Sequence, residues 1–393
     1  MMEGLNIEKL DKSNWSTYRF DNIAFKRSER IDPNNTDLEI YVGLEHLDSE
    51  SLHIRRFGTR DDVNGTKFRC YPGDIIFGRR RAYQRKAAIV DFNGFCSAHS
   101  LVLYPNEEVI DAALFPFFLH SDAFMHRAVD ISVGSLSPTI NWKTLRSQEF
   151  LLPPKDQQAR LAKMLWAGDT MVEKKMNLKF HLERTLLTYR QKEIINSTPM
   201  RTELGSHIEN IVAGRSLKGT NTPVEDEEKG VVKVSAVGKY EFKAAENKIL
   251  NDQKAFIEKY RISKGDVLIT RANTRELVGK VCIVDRDYPH LMLSDKTLKL
   301  QFDGSTVDSV FMVEVLKSRE ARVQIEGYAT GTGGAMKNIS QNEIRKICVP
   351  LPDVEKQNIY AQKVRSILNA RISLLSEIQS LRALQKSLIN QIF

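Results

Sequence analysis

At 393 residues the chain is too long for one ordinary hydrophobic core, so two or three domains are expected. Its 41% hydrophobic and 27% charged content are globular values that exclude the need for a long disordered region. The net charge of +8 carries meaning only if it is clustered, because phosphate binding needs a local positive field.

Cys70, Cys96, Cys282 and Cys348 are scattered, with no CxxC pair or Cys/His cluster. This argues against a disulfide framework or a zinc site and for a reducing cytosol. The first residues lack the basic-then-apolar pattern of a signal peptide, and no run approaches the roughly 18 to 20 apolar residues of a membrane span. A soluble, cytoplasmic chain without a membrane partner is expected.

In chain order, Tyr71-Pro72-Gly73-Asp74-Ile75-Ile76-Phe77-Gly78 predicts a Gly-Asp turn followed by a buried strand. The loop that follows, Arg79-Arg80-Arg81-Ala82-Tyr83-Gln84-Arg85-Lys86, packs five cations with a tyrosine and a glutamine, and Ala87-Ala88-Ile89-Val90-Asp91 predicts a second strand. Arg supplies bidentate donors to guanine edges or phosphates, Gln can read adenine, and Tyr can bond a phosphate or stack. A solvated hairpin turn is the plainer reading of such a loop taken alone. His99 follows the second strand, where a structural hydrogen bond would explain it equally well. The segment Gly134-Ser135-Leu136-Ser137-Pro138-Thr139-Ile140 is small and polar, with Ser135, Ser137 and Thr139 as candidate contacts.

After Phe150-Leu151-Leu152-Pro153-Pro154, the stretch from about Asp156 to Asn196 has no proline and a single glycine. Leu161, Leu165, Val172, Leu182, Leu186 and Tyr189 form an apolar stripe at helical spacing, and Asp156 is expected at the N-cap. About 38 residues at ~1.5 Å each make a rod of roughly 57 Å. A compact domain seldom needs so long a helix, so a partner helix is favoured over two independent surface helices.

The second half repeats the first. Ser263-Lys264-Gly265-Asp266-Val267-Leu268-Ile269-Thr270 answers the first turn and strand, at an offset of 192 residues between the Gly-Asp turns. The loop Arg271-Ala272-Asn273-Thr274-Arg275-Glu276 keeps the position of the basic loop and changes its content, with Arg271, Asn273 and Arg275 as candidates. Lys296 stands where His99 does. Thr330-Gly331-Thr332-Gly333-Gly334 and Lys337 answer the Ser135 segment, with Ile339 matching Ile140 at an offset of 199. That glycine-rich run could admit a phosphate to its backbone N–H groups, or be a linker before a strand. Val349-Pro350-Leu351-Pro352-Asp353 leads into a second long helix with Leu374, Ile378, Leu381, Leu388 and Ile392 on one seam and Asp353 expected at its N-cap.

The expected fold is therefore α+β. Two mixed α/β domains, 1–154 and 199–352, are related by internal duplication, then joined and spaced by two long antiparallel coiled-coil helices, 155–198 and 353–393. The chain contains no GxGxxG, Walker, HExxH or GxSxG motif and no Asn/Asp-Pro-Pro-Tyr/Phe tetrapeptide, for which Leu152-Pro153-Pro154-Lys155 is the nearest string. Its eight histidines include no i,i+4 pair, and Asp61-Asp62 and Glu225-Asp226-Glu227-Glu228 read as solvated acidic loops. No nuclease constellation stands out. Neither catalysis nor a bound metal is expected, although a stand-alone methyltransferase or nuclease with an unrecognised motif, or a phage-defence scaffold that reads no sequence, remains an alternative.

Gly73-Asp74-Ile75-Ile76 and Gly265-Asp266-Val267-Leu268, together with the two Leu-Pro junctions ending in Gln157-Gln158 and Lys356-Gln357, resemble the specificity subunits of type I restriction–modification systems. The resemblance covers essentially the whole chain. It implies two target-recognition domains that each read one half of a split site on double-stranded DNA, and helices that set the spacing. It also implies two methylation subunits docked on those helices, with restriction (translocase/nuclease) subunits joining the complex. S-adenosylmethionine, ATP and Mg2+ would be bound by those partners and none by this chain. The junctions here depart from the family's commonest Glu-Glu-Gln.

Overall fold

The structure, a computed structural model, describes residues 10–225, 227–331 and 336–393. They form two compact units, one of residues 1–176 with 376–393 and the other of residues 177–375.

In the first unit, β1 (Ala24–Arg27), β2 (Ile75–Gly78), β3 (Ala87–Ile89) and β4 (Ser100–Pro105) form an antiparallel sheet in the order β1-β4-β2-β3. Side chains alternate across a strand, so Ile75, Phe77, Leu101 and Leu103 share one face and pack on Phe20, Phe115, Phe118 and Phe124. Ile76, Ala88 and Val102 fill the other face with Val42, Cys70 and Cys96. Burial on both faces is why the β2 sequence is continuously apolar rather than alternating. The helices Phe115–His120 and Asp122–Asp130 supply the first layer. A five-stranded sheet, whose central pair Ile40–Val42 and Gly94–Cys96 is parallel, supplies the second.

The second unit repeats this plan. β5 (Ile208–Ala213), β6 (Val267–Thr270), β7 (Val281–Ile283) and β8 (Thr297–Phe302) order as β5-β8-β6-β7. Val267, Ile269, Leu298 and Leu300 face Phe311, Leu316 and Ile325, while Leu268 and Cys282 face Val232 and Leu293. The five-stranded sheet again has one parallel pair, Gly230–Val232 with Tyr288–Met292.

The Gly-Asp turns are built alike. Gly73 (φ +90°) and Gly265 (φ +86°) take the left-handed backbone that favours glycine. The Asp74 carboxylate accepts the Tyr71 N–H at 2.9 Å, and the Asp266 carboxylate accepts the Ser263 N–H at 2.8 Å. Each carboxylate is then neutralised by a cation, but from different strands. Arg27 on β1 grips Asp74 through two hydrogen bonds of 2.8 and 2.9 Å, whereas Lys299 on β8 reaches Asp266 at 2.6 Å. Arg27 pairs across the sheet with Val102, and Lys299 with Val212. The two copies have exchanged cation and valine across one register pair, keeping charge and volume constant while the sequences diverged.

The long helices run over Lys155–Arg190, continued by a π-helical turn Gln191–Asn196, and over Val354–Ile392. The chain passes from one unit to the other inside both helices, between residues 176 and 177 and between 375 and 376. Within the first unit, Lys175 pairs with Glu377 at 2.5 Å and Gln385 reaches Asp169 at 3.4 Å, so the two helical segments are antiparallel. Within the second, Arg371 bonds Glu183 at 2.7 Å and the rings of Tyr189 and Tyr360 stack at 4.8 Å, again antiparallel. The expected stripes line these contacts: Leu161, Leu165, Val172, Leu186, Leu374, Ile378 and Ile392 are buried.

The junctions into the helices differ at the cap and agree at one glutamine. Asp353 is the N-cap of the second helix, its carboxylate accepting the Lys356 N–H at 2.9 Å. The expectation for Asp156 is not met. The first helix begins at Lys155, two residues before an Asp156 cap would start it, with the Pro154 carbonyl accepting the Gln157 and Gln158 N–H groups, so Asp156 lies in its first turn. There it still favours the helix, as a negative charge near an N-terminus. Gln158 is buried, accepting the Asp111 N–H at 2.6 Å and donating to the Val109 and Pro153 carbonyls at 2.9 and 2.8 Å. Gln357 makes the same three bonds, to the Asp308 N–H and the Thr306 and Pro352 carbonyls, at 3.0, 3.0 and 2.9 Å. Each glutamine fastens its helix to a loop of its own domain.

Candidate nucleic-acid interface

The edge where β2 ends brings three sequence-distant stretches together. The Arg79 carbonyl accepts the Ile140 N–H at 2.9 Å, and Arg80 bridges to Thr139 in antiparallel fashion. Thr139 and Val133 exchange both backbone hydrogen bonds, at 3.0 and 3.1 Å, closing residues 133–139 into a hairpin. The Arg80 Nε donates to the Ser137 hydroxyl at 2.8 Å, and its guanidinium lies 3.5 Å from the His99 ring. The Arg81 N–H donates to the Pro138 carbonyl at 2.7 Å.

The second unit assembles the same edge at the end of β6. The Arg271 carbonyl accepts the Ile339 N–H at 3.0 Å, and its own N–H donates to the Lys296 carbonyl at 2.8 Å. Ala272 pairs with Asn338 and Asn273 with Lys337, while Thr330 and Asn338 exchange hydrogen bonds of 2.9 and 2.8 Å. The Lys337 ammonium donates to the Gly331 carbonyl at 3.0 Å. Arg79 and Arg271, His99 and Lys296, Val133 and Thr330, and Thr139 and Asn338 therefore occupy corresponding places. Thr332, with Gly333 and Gly334, lies outside the described residues.

Among the described residues, no carboxylate pairs with Arg79, Arg80 or Arg81 in the first unit, or with Arg271, Lys296 or Lys337 in the second. The Arg79 Nε is shielded from solvent without a protein partner. His99 titrates below the usual histidine range: partial burial is the largest cause, followed by the charges of Arg80, Arg79 and Lys67. Cations gathered without counter-ions repel one another and are relieved by a polyanion.

Not every residue of the basic loop faces this edge. Arg85, only 15% exposed, pairs with Glu50 at 3.2 Å and Asp122 at 2.6 Å and donates to the His120 carbonyl at 2.7 Å. Lys86 donates to the Leu44 carbonyl at 2.6 Å. Both anchor the loop within its own unit. Tyr83 is exposed and Gln84 half-buried on the short turn Ala82–Gln84, and Ser135 is exposed on the hairpin. Arg275 pairs with Glu326 at 3.6 Å.

Three further residues were not among the named sequence candidates, although Val133 and Leu136 lie within the stretch around Ser135. Lys67, whose ammonium bonds the Asn64 and Gly65 carbonyls, adds its charge to the field at His99, and Val133 and Leu136 stand 77% and 91% exposed on the hairpin. Guanidinium, ammonium, hydroxyl and amide groups on a strand-and-hairpin edge can hold phosphates and reach base edges. Among the described residues no group of three or more His, Cys, Asp or Glu side chains could hold a metal ion, and no helix is long and apolar enough to cross a membrane.

A mixed α/β domain is built twice in this chain, each copy with a cationic edge and a glutamine-fastened long helix. Residues 210–381 match the family model described as Type I restriction modification DNA specificity domain. The Type I restriction enzyme EcoEI specificity subunit of Escherichia coli is 28% identical over 183 residues, covering 46% of this chain and 31% of that relative. The EcoDI specificity subunit of the same organism is 29% identical over 170 residues, covering 42% and 38%. These matches span about a third of the curated relatives' own length. The crystal structure of the type I restriction–modification S subunit from M. genitalium shares the fold over 98% of both chains, with a TM-score of 0.60 at 14% identity. Residues 210–381 are thus similar to a type I restriction–modification DNA specificity domain, and the chain as a whole shares the fold of an S subunit.

Proposed function

We propose that this chain is the non-catalytic DNA-sequence specificity subunit of a type I restriction–modification enzyme, each domain binding one half of a bipartite double-stranded site. The observation that carries this reading is the duplicated edge: the backbone plan is kept in both units while Arg80, Ser137 and His99 in one become Ala272, Met336 and Lys296 in the other. A retained frame with altered side chains is what reading two different half-sites requires. The long helices set the spacing between the half-sites and dock two methylation subunits, which bind S-adenosylmethionine. Restriction subunits using ATP and Mg2+ join the same cytoplasmic complex.

Selection of binding duplexes from a random-sequence pool, using the full chain with its methylation partners, tests the reading. The expected product is two short defined blocks separated by an undefined spacer of fixed length. One continuous block, or no enrichment, would contradict it, as would methyl transfer to DNA by the chain alone with S-adenosylmethionine.

A further inference from the structure

Leu136 is 91% exposed and Val133 77% exposed, on a hairpin whose surroundings are cationic. A lone exposed leucine is ordinary on a protein surface. Here, however, the hairpin that carries it is held at five points. Val133 and Thr139 exchange hydrogen bonds, the Arg80 Nε binds the Ser137 hydroxyl, the Arg81 N–H binds the Pro138 carbonyl, and the Thr139 hydroxyl donates to the Ser137 carbonyl at 3.1 Å. Gly134, at φ +118°, makes the tight bend that lifts the tip. Fixing a tip in this way removes the ordering cost of docking it, which is the signature of a preorganised contact.

What that tip can touch follows from its chemistry. The Val133 and Thr139 N–H groups are consumed within the hairpin, so phosphate contacts fall to the tip's remaining polar groups and the cations at its base, and the Leu136 side chain is left for an apolar target. Arg79, Arg80, Arg81 and His99 stand at its base without counter-ions among the described residues, so the surface as a whole selects a polyanion and repels a basic protein. An exposed isobutyl group on a two-stranded ribbon with guanidinium groups at its base fits the major groove, which is wide enough for such a ribbon and offers it the apolar 5-methyl of thymine.

We propose that Leu136 is a specificity-determining residue that reads a thymine methyl in the half-site bound by the first domain, with Val133 packing beside it. This rests on the DNA-reading function proposed above. The experiment is a thymine-to-uracil scan of the selected binding site, which deletes one methyl at a time and leaves base pairing intact, run with the wild-type chain and with Leu136→Ala in complex with the methylation partners. Leu136 touches almost nothing within the fold, so its replacement leaves folding unperturbed.

At one thymine of the first domain's half-site, uracil should weaken wild-type binding about fourfold, the value of one buried methyl. Leu136→Ala should bind thymine and uracil there equally, while Leu136→Met restores part of the preference. Uniform indifference to uracil would overturn the proposal. So would a methyl effect that survives Leu136→Ala, or a variant that weakens binding without any thymine dependence. Failure of the wild-type complex to bind the unsubstituted site specifically would instead overturn the DNA-reading function on which the proposal stands.

Discussion

Replacing Arg80 and Arg81 together with glutamine separates the cations proposed to face DNA from those that hold the fold. Neither guanidinium has a carboxylate partner among the described residues, so both are available to phosphates. Each phosphate left without its cation should flatten the plot of log binding constant against log salt by about 0.9, or about 1.8 for the pair. Between 50 and 200 mM salt, the wild type should then lose about tenfold more affinity than the double variant. Arg85→Gln is the internal contrast. It breaks pairs with Glu50 and Asp122 and a bond to the His120 carbonyl, so it should cost about 1–3 kcal/mol of stability and leave the salt slope unchanged. Fluorescence anisotropy over a salt series, with denaturant unfolding of the same samples, reads both quantities. An unchanged slope in the double variant, or a slope change confined to Arg85→Gln, would refute this division of the basic loop.

Two further outcomes concern the scaffold. Gln158→Ala and Gln357→Ala each remove three hydrogen bonds at a fully buried position, so each should cost about 3–5 kcal/mol in denaturant unfolding. A loss below about 1 kcal/mol would show that these junctions are not fastened as described. His120 is fully buried and its ring bonds the Ala87 carbonyl at 2.8 Å. Burial, only partly offset by that bond, pushes its pKa down from 6.5 to about 4. The unfolded chain therefore takes up a proton that the folded chain refuses. This contribution is complete above about pH 6.5 and falls by about 3 kcal/mol as pH drops toward 4. His53 has the opposite sign: its hydrogen bond to Asp169 raises its pKa, so its contribution is present at low pH and lost as pH rises through the raised value. The difference in unfolding free energy between wild type and His120→Gln, followed over pH 4–7, should rise with pH; a flat difference would contradict the buried neutral ring.

Much of the scaffold could be read locally. A Gly-Asp turn, a strand buried on both faces and a helix of ten turns are each specified by neighbouring residues, and the recurrence of all three at a near-constant offset exposed the duplication. The correspondence of Arg79 with Arg271 and of His99 with Lys296 followed from their places after the matching strands. Other features depend on residues far apart in the chain. Arg85 turns inward because Glu50 and Asp122 await it, and nothing in its own loop distinguishes it from Arg80. Strands such as Arg30–Ile31 and Gly219–Thr220 are two residues long and carry no periodicity. The compact units cut across both helices because Ile389, Ile392 and Phe393 pack on Trp15, Phe117 and Phe118, contacts invisible to any local pattern. Asp156 missed its cap because Pro154 stands at the place that Asp353 holds before the second helix, leaving Asp156 two residues further on, inside the first turn.

The most direct test of the account lengthens both helices where the chain passes between units. Seven residues inserted after Met176 and seven after Leu375 keep the apolar seam in register and add about 10.5 Å of helix, or about three base pairs at ~3.4 Å each. Selection from a random-sequence pool should return the two original half-site sequences with their spacer longer by about three base pairs. Altered half-site sequences, or an unchanged spacer, would contradict the claim that the domains read and the helices measure.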